Sequence, residues 1–306
     1  MKPLASVVIP TYNRRTILEK SLKSLFQQTC PPDQYEIILI DDGSTDQTRQ
    51  MVESLRPPCR LEYRYQEHAG PASARNAGVR LANADLIIFI DSDIVVAPEF
   101  IEAHLEAHRT PGVIAHGPVI HTTDLDHPTD ARMKVTDISR AYFATGNVSI
   151  EKARLLEAGL FDEDFREYGW EDLELGYRLR RLGLKAVPCP GAKGYHYKSR
   201  LQVKSLPALK QRERERGHTA VIFYRKYPTT RTRMMTMIIP AFFALDRLFS
   251  MGGWPEKPGT MKLLETLEKK GLHLLLRFLV RIVTNHAYAE GLKEALRDEL
   301  KDSSTG

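Results

Sequence analysis

Cysteine is scarce in this chain. Cys30, Cys59 and Cys189 are the three among 306 residues, and they are too scattered for a disulfide framework or a metal spacing. Reduced thiols in a cytoplasmic protein are the expectation. Long apolar runs are also missing: nothing approaches the roughly 18 uncharged apolar residues that a spanning helix needs. Met1-Lys2-Pro3-Leu4 leads straight into an apolar strand pattern, so no signal peptide is expected. There is no internal repeat and no low-complexity tract, which sets aside solenoids and disordered linkers. A Gly-rich loop bearing Lys or Arg, the phosphate cradle expected of a nucleotidyltransferase, is absent after the first strand pattern, where Pro10-Thr11-Tyr12-Asn13 stands instead.

What is present is an ordinary globular composition, 42% hydrophobic and 27% charged. The length suffices for one sizeable core with an appendage, or two small domains. The net charge of +5 is unevenly placed. Residues 1–197 hold 23 basic and 28 acidic residues, and residues 198–306 hold 21 basic and 11 acidic. A slightly acidic part therefore carries a basic C-terminal part.

The run Leu86-Ile87-Ile88-Phe89-Ile90 is too short for a buried helix and rich in Ile, so it reads as a strand covered on both faces. Asp91-Ser92-Asp93 follows at its carboxyl end, where ligands bind in an open parallel sheet. Two carboxylates at that edge suit a hard divalent cation, Mn²⁺ or Mg²⁺, that in turn holds phosphate oxygens. Upstream, Glu36-Ile37-Ile38-Leu39-Ile40 runs into Asp41-Asp42-Gly43-Ser44, and Ser6-Val7-Val8-Ile9 runs into Pro10. Thr16 with Glu19, and Ser44 with Gln47, read as capping boxes of the intervening helices. Pro71 after Gly70 suits a third helix start. Residues 1–95 thus alternate strand and helix, which implies a mostly parallel sheet flanked by helices.

Ser6-Val7-Val8-Ile9-Pro10-Thr11-Tyr12-Asn13, Ile40-Asp41-Asp42-Gly43-Ser44-Thr45-Asp46, Gly70-Pro71-Ala72-Ser73-Ala74-Arg75-Asn76-Ala77-Gly78 and Ile90-Asp91-Ser92-Asp93 occur in that order. Thr145-Gly146-Asn147-Val148-Ser149 and Gly169-Trp170-Glu171-Asp172-Leu173-Glu174 follow. Together they resemble family 2 glycosyltransferases of the inverting, GT-A type, over about residues 4–200. The resemblance implies a Rossmann-like catalytic domain over 1–200, with a nucleotide-binding half to about 95 and an acceptor half from 96. A helical, basic region follows over 201–306.

The same resemblance implies the site. Tyr12 would stack on the donor's base, with backbone around Pro10 and Thr11 at its edge. Asp42 would accept from the base, with Asp41 as its alternative, and Arg75 would lie against the nucleotide or its phosphates. Asp93 would touch the metal directly; Asp91 would act through metal, sugar or water, with Ser92 between them. His196 would complete the metal shell. Gly146 would allow close approach, and Asn147 would bond the diphosphate or acceptor. Asp172 would be the general base, with Glu171 as runner-up. Asn76 reads as a loop support. Thr145–Ser149 reads as a loop entering an edge strand, and His104, His108, His116, His121 and His127 read as surface residues.

Beyond residue 200, a cationic helix is expected over 202–227, followed by apolar runs at 234–245 and 272–283 with Arg277 and Arg281 on one side. Such runs fit a helix lying on an anionic membrane, or one packing on the catalytic part or on a second copy in a homodimer. The basic charge carries no nucleic-acid reading motif. The leading reading is a metal-dependent enzyme that moves a sugar from a nucleoside diphosphate sugar, UDP favoured, to a glycan or lipid-linked hydroxyl. It would work in the cytoplasm or on the cytoplasmic membrane face. A nucleotidyltransferase and a catalytically silent nucleotide-sugar-binding or membrane scaffold protein are the alternatives.

Overall fold

A computed structural model describes residues 2–124, 126–134, 137, 139, 141–198 and 202–302, with the last five of these as backbone alone. It forms two compact units, 1–166 with 171–199, and 167–170 with 200–306. In the first, β1 (Ala5–Thr11), α1 (Arg15–Leu25), β2 (Tyr35–Asp41), α2 (Thr48–Ser54), β3 (Arg60–Tyr65), α3 (Pro71–Leu81) and β4 (Leu86–Ile90) alternate as expected. The short β5 (Ile94–Val96) and α4 (Phe100–Ala107) follow, then β6 (Val113–His116), β7 (Val119–Thr122), β8 (Asn147–Glu151), α5 (Lys152–Glu157), α6 (Glu171–Arg181), β9 (Lys185–Pro188) and β10 (Gly194–Tyr197). The main sheet runs β3-β2-β1-β4-β8-β6-β9, and a small sheet runs β5-β10-β7. Strands β3, β2, β1 and β4 are mutually parallel, and β8 lies antiparallel between β4 and β6.

Two cores explain the unbroken apolar strands. Side chains alternate across a strand, so each apolar run feeds both faces. Val7, Ile9, Ile37, Leu39, Ile88 and Ile90 pack with Leu18 and Leu22 of α1 and Phe100 of α4. Val8, Ile38, Ile40, Ile87 and Phe89 pack on the other face with Ala72 and Val79 of α3 and Leu175 of α6. All three cysteines are buried and unpaired.

Several local expectations are corrected. Neither α1 nor α2 has a side-chain cap: α1 begins at Arg15, and Gln47 precedes α2 in the left-handed region at φ 62°. Thr16 and Ser44 lose to longer-range partners, because the Arg15 N–H donates to Asp46 and the Asn13 N–H donates to Ser44. Strand β8 is interior rather than an edge, since β6 pairs with its far side. Gly169 and Trp170 stand before α6 with φ of 104° and 70° instead of opening it. Leu175 and Leu179 are buried on α6, whereas Leu182 is exposed.

The second unit is helical: α7 (Leu206–Lys226), α8 (Thr230–Met235), α9 (Pro240–Phe249), α10 (Pro258–Lys269) and α11 (His273–Asp302). Helices α7 and α11 approach through glycine. A Cβ on Gly217 would meet the Tyr288 carbonyl at 2.5 Å, and one on Gly291 would meet the Arg214 carbonyl at 2.1 Å. Buried Asp246 accepts from His286 Nδ1 at 2.7 Å and Lys293 Nζ at 3.0 Å, tying α9 to α11. Among the described residues, no helix is long and apolar enough to cross a membrane.

Glu36, wholly buried in β2, generates a stability test. Burial opposes its charge, yet hydrogen bonds from Ser6 (2.6 Å) and from the backbone (2.6 Å) and amide (2.8 Å) of Asn83, with Arg60 nearby, hold it below the usual carboxylate range. Its stabilisation is therefore present above the unfolded-chain value near ~4.3 and is lost as pH falls through the lower folded value. Glu36→Ala should cost about 2–4 kcal/mol in urea unfolding at neutral pH, because buried donors are left unpaired. The gap between the two proteins should close in acid; a gap constant with pH would refute a role for the charge.

Candidate active site

The carboxyl edge of the main sheet gathers most of the predicted residues. Strand β1 ends at Thr11, β2 at Asp41 and β4 at Ile90, so Tyr12, Asp42 and Asp91 follow at one rim. The register Ile90↔Asn147 brings the start of β8 to the same rim, and a Cβ built on Gly146 would stand 3.4 Å from Asp91 Oδ2. Strand β10 pairs His196 with Ile94 of β5, which carries the imidazole to Asp93. His196 Nε2 lies 3.3 Å from Asp93 Oδ2, and Arg14 Nη1 lies 3.1 Å from the same oxygen. His196 Nδ1 meets His121 Nδ1 at 3.3 Å. Ser92 is buried between the two acids.

Arg75 joins this metal-like corner to α6. Its buried guanidinium bonds Glu171 at 2.8 Å and approaches Asp91 at 3.4 Å. Gly70 at φ 94° lets α3 start where its Pro71 N-terminus does, and a Cβ there would meet the Arg166 carbonyl at 2.2 Å. Asp172, beside Glu171, is pushed up to about 7, by burial first and then by the Glu171 charge, with Arg75 and the Leu173 N–H pulling the other way. Glu171 Oε2 is buried with no hydrogen-bond partner among the described residues. Burial raises Asp91 against the pull of Arg75, and the Asp93 charge adds to the rise. Burial also opposes the Asp93 charge, but His196 and Arg14 outweigh it and hold Asp93 below its usual range.

This donor set fits a divalent cation. Two carboxylates and an imidazole stand at one corner, and the Arg14 guanidinium on Asp93 shows that the corner draws positive charge. A cation there would lower both carboxyl pKa values. Among the described residues, the acids and imidazole whose ligand atoms all lie within 4.8 Å of one another are Asp246, His286 and Glu290, and these already have the Lys293 ammonium on both carboxylates.

Three predicted residues have engagements that the sequence did not reveal. Both Asp42 oxygens are occupied by the chain itself: Gln66 (2.7 Å), the Ala69 and Gly70 N–H groups (3.0 and 2.9 Å) and His68 (2.8 Å). Asp42 thus anchors loop 66–70. Tyr12 is exposed and stacks on the His68 ring, centroids 4.4 Å apart. Thr11 Oγ1 is buried without a partner among the described residues, and Pro10 pairs with Ile40 within the sheet. Asn147 donates to the Pro118 and Ala192 carbonyls and meets His104 Nε2, so its amide ties strands together inside the fold. Asn76 is the loop support expected, bonding both backbone groups of Phe161.

Three of the five histidines, His104, His108 and His116, correct the surface reading. His104 is fully buried between Ser149 Oγ and Asn147, and burial drives it down to about 3. His108 shares Ser149, His116 bonds the Tyr142 carbonyl, and His121 sits against His196. His121 and His127, the latter beside Asp124, are exposed as expected. The i, i+4 pair His104 and His108, continuing the buried face of Phe100 and Ile101, was the available signal. Arg14, Gln66, His68 and His121 carried no signal of their own, since each is recruited by a remote partner.

The family profile described as Glycosyl transferase family 2 matches residues 6–158, half of the chain. The chain belongs to this family. Its mostly parallel sheet flanked by helices is the GT-A fold. Validoxylamine A glucosyltransferase of Streptomyces hygroscopicus subsp. limoneus is 36% identical over 221 residues, 60% of this chain and 49% of the relative. Chondroitin synthase of Escherichia coli is 29% identical over 235 residues, 62% and 34%. The chain thus spans about half the length of the first of these relatives and a third of the second. Mannosyltransferase PcManGT from Pyrobaculum calidifontis, solved with GDP-Man and Mn²⁺, superposes with a TM-score of 0.63 at 17% identity, covering 97% of this chain and 88% of that one. S. aureus TarS 1–349 with UDP superposes at 0.52 and 19% identity, covering 96% and 91%. At such identity the two structures speak to the fold.

Arg75 lowers the pKa of Asp172 through its charge. Arg75→Met should therefore shift the acidic limb of the pH–rate profile for sugar transfer to higher pH, besides lowering the rate. An unshifted limb in an active, folded variant would break the electrostatic link between α3 and α6.

Proposed function

We propose that this glycosyltransferase moves a sugar, with inversion, from a nucleoside diphosphate sugar to a hydroxyl of a glycan or lipid-linked acceptor. The observation that carries this reading is Asp172, a carboxylate raised to about 7 at the start of α6, joined through Glu171 and Arg75 to the Asp91–Asp93 corner. A base whose pKa sits near the working pH combines ionisation with proton affinity. In the displacement the acceptor oxygen bonds the anomeric carbon, the bond from that carbon to the diphosphate oxygen breaks on the opposite face, and the hydroxyl proton passes to Asp172. Glu171, with one oxygen on Arg75 and the other without a partner among the described residues, orients the acceptor or the sugar. The Tyr12–His68 ring pair offers an exposed face for the base, next to the loop that Asp42 holds.

Asp93, Asp91 and His196 are the residues that would hold Mn²⁺ or Mg²⁺. The bound ion would neutralise charge on the departing diphosphate. The presence of Mn²⁺ in the mannosyltransferase structure agrees with that assignment. Uridine remains the favoured base; UDP stands with TarS and GDP-Man with the mannosyltransferase, so a thermal-shift screen of both donor classes with Mn²⁺ is the direct comparison.

Asp172→Asn should leave donor affinity nearly intact and lower kcat by at least ~100-fold, the usual scale for a lost general base. The wild-type rate should rise with pH through about 7, as Asp172 ionises. If Glu171→Gln is far the more damaged variant, the two roles are exchanged; if neither matters, the base lies elsewhere.

Asp93→Ala should abolish transfer and remove the Mn²⁺ dependence of nucleotide binding, read by calorimetry with and without metal. Nucleotide affinity that still rises with Mn²⁺ in this variant would sink the metal assignment.

A further inference from the structure

The helical unit exposes apolar side chains that a water-facing surface does not need. Among the described residues, 12 of the 19 large hydrophobic side chains that stand exposed lie between Met234 and Phe278. Helix α9 is inside out. Its acid, Asp246, is buried on His286 and Lys293, while Ala241, Ala244, Leu245 and Leu248, one stripe at helical spacing, are exposed. Leu248 is 60% and neighbouring Met251 72% exposed. Helix α11 does the same over its first turns. Leu276, Val280 and Val283 pack inward with Leu206, Leu264 and Leu267. The outer stripe is Leu274, Arg277, Phe278 and Arg281, with Leu274 at 85% and Phe278 at 54% exposure. Contiguous exposed apolar surface on this scale marks a contact face.

Charge says what meets it. Residues 229–284 hold nine Lys and Arg against four Asp and Glu. Three of those acids are drawn inward or paired: Asp246 as above, Glu256 by Lys210 at 2.7 Å, and Glu268 by the Val203 N–H. The exposed apolar stripes are thus interleaved with exposed cations, Arg247 on α9 and Arg277 and Arg281 on α11. A second copy docked on this face by a two-fold axis would set like charges against each other. An anionic bilayer surface satisfies both features, taking Leu and Phe into its interface and Lys and Arg among its headgroups.

We propose that α9 and the first half of α11 dock this enzyme, in plane and reversibly, on an anionic lipid surface. No described helix is long and apolar enough to span, so attachment rests on interfacial burial and on charge. The proposal goes beyond the transfer reaction and is read without substrate, so its failure leaves that reading standing.

The test is co-sedimentation of the full chain with phosphatidylcholine vesicles containing about one-third phosphatidylglycerol. The protein should pellet with them at low salt and be released in 1 M salt, where screening shortens the electrostatic reach to ~3 Å. Leu274→Asp with Phe278→Asp should weaken binding more than ~10-fold, since each interfacial side chain contributes on that scale. Arg277→Glu with Arg281→Glu should weaken it as much and remove most of the salt sensitivity. All four positions are exposed, so the thermal unfolding midpoint should be unchanged, which separates lost docking from lost folding. Failure of the full chain to pellet at low salt would overturn the proposal, as would binding that survives both double variants. A concentration-dependent dimer dispersed by Leu274→Asp with Phe278→Asp would give the face to a second copy and overturn it equally.

Discussion

The site depends on one buried cation. Asp91, Asp93, Glu171 and Asp172 crowd one rim of the sheet, and like charges at such range raise one another's pKa values. Arg75, its side chain 7% exposed, bonds Glu171 at 2.8 Å and approaches Asp91 at 3.4 Å. It keeps the cluster compact while leaving Asp172 near neutrality and Asp93 ionised beside His196. Losing one partner of such a buried pair is costly, because the other charge remains without compensation. The positions of α3 and α6 are therefore tied to each other by electrostatics as well as by packing.

That tie explains otherwise awkward backbone. Gly70 adopts φ 94° with the Arg166 carbonyl where its Cβ would be, so that α3 can point Arg75 inward. Gly169 and Trp170 take φ of 104° and 70° immediately before Glu171. Trp170 is a poor residue for that conformation, and its anchoring offsets the strain: the indole N–H donates to the Arg216 carbonyl at 3.0 Å, and the ring stacks near Phe223. Trp170 belongs to the helical unit, and Glu171, the partner of Arg75, follows it in the chain. Strained backbone of this kind concentrates where side chains must be aimed.

Much of the site was legible because it follows strands. Asp91 and Asp93 after Ile90, and Asp42 after Ile40, are placed by the apolar runs before them, since a doubly covered strand must end where polar residues begin. Glu171 and Asp172 were legible through the family's motif and their place at a helix start. The misreadings share one cause. Thr16 and Ser44 look like caps locally, but the Arg15 N–H donates to Asp46 and the Ser44 hydroxyl accepts from the Asn13 N–H, each pair 31 residues apart. His104 looks like a surface residue until Asn147 and Ser149 arrive from β8 to bond it, 43 and 45 residues on. Asp42 was legible as an acid at a strand end, but not the loop 24 to 28 residues downstream that its oxygens hold.

By itself the sequence determined the alternation of strand and helix, the two-faced core, the rim at which acids collect and the separate basic character of the C-terminal part. These follow from period, from turn chemistry and from charge along the chain, which are properties of neighbours. Tertiary structure alone decided that β8 is interior, that Arg75 spends its charge on Glu171 and Asp91 rather than standing open, that His121 backs His196, and that α9 turns its acid inward and its leucines out. Each of these is a choice of partner between residues far apart in the chain. Burial removes water as the competing partner, so it is the fold that selects which distant group answers which charge or hydrogen bond.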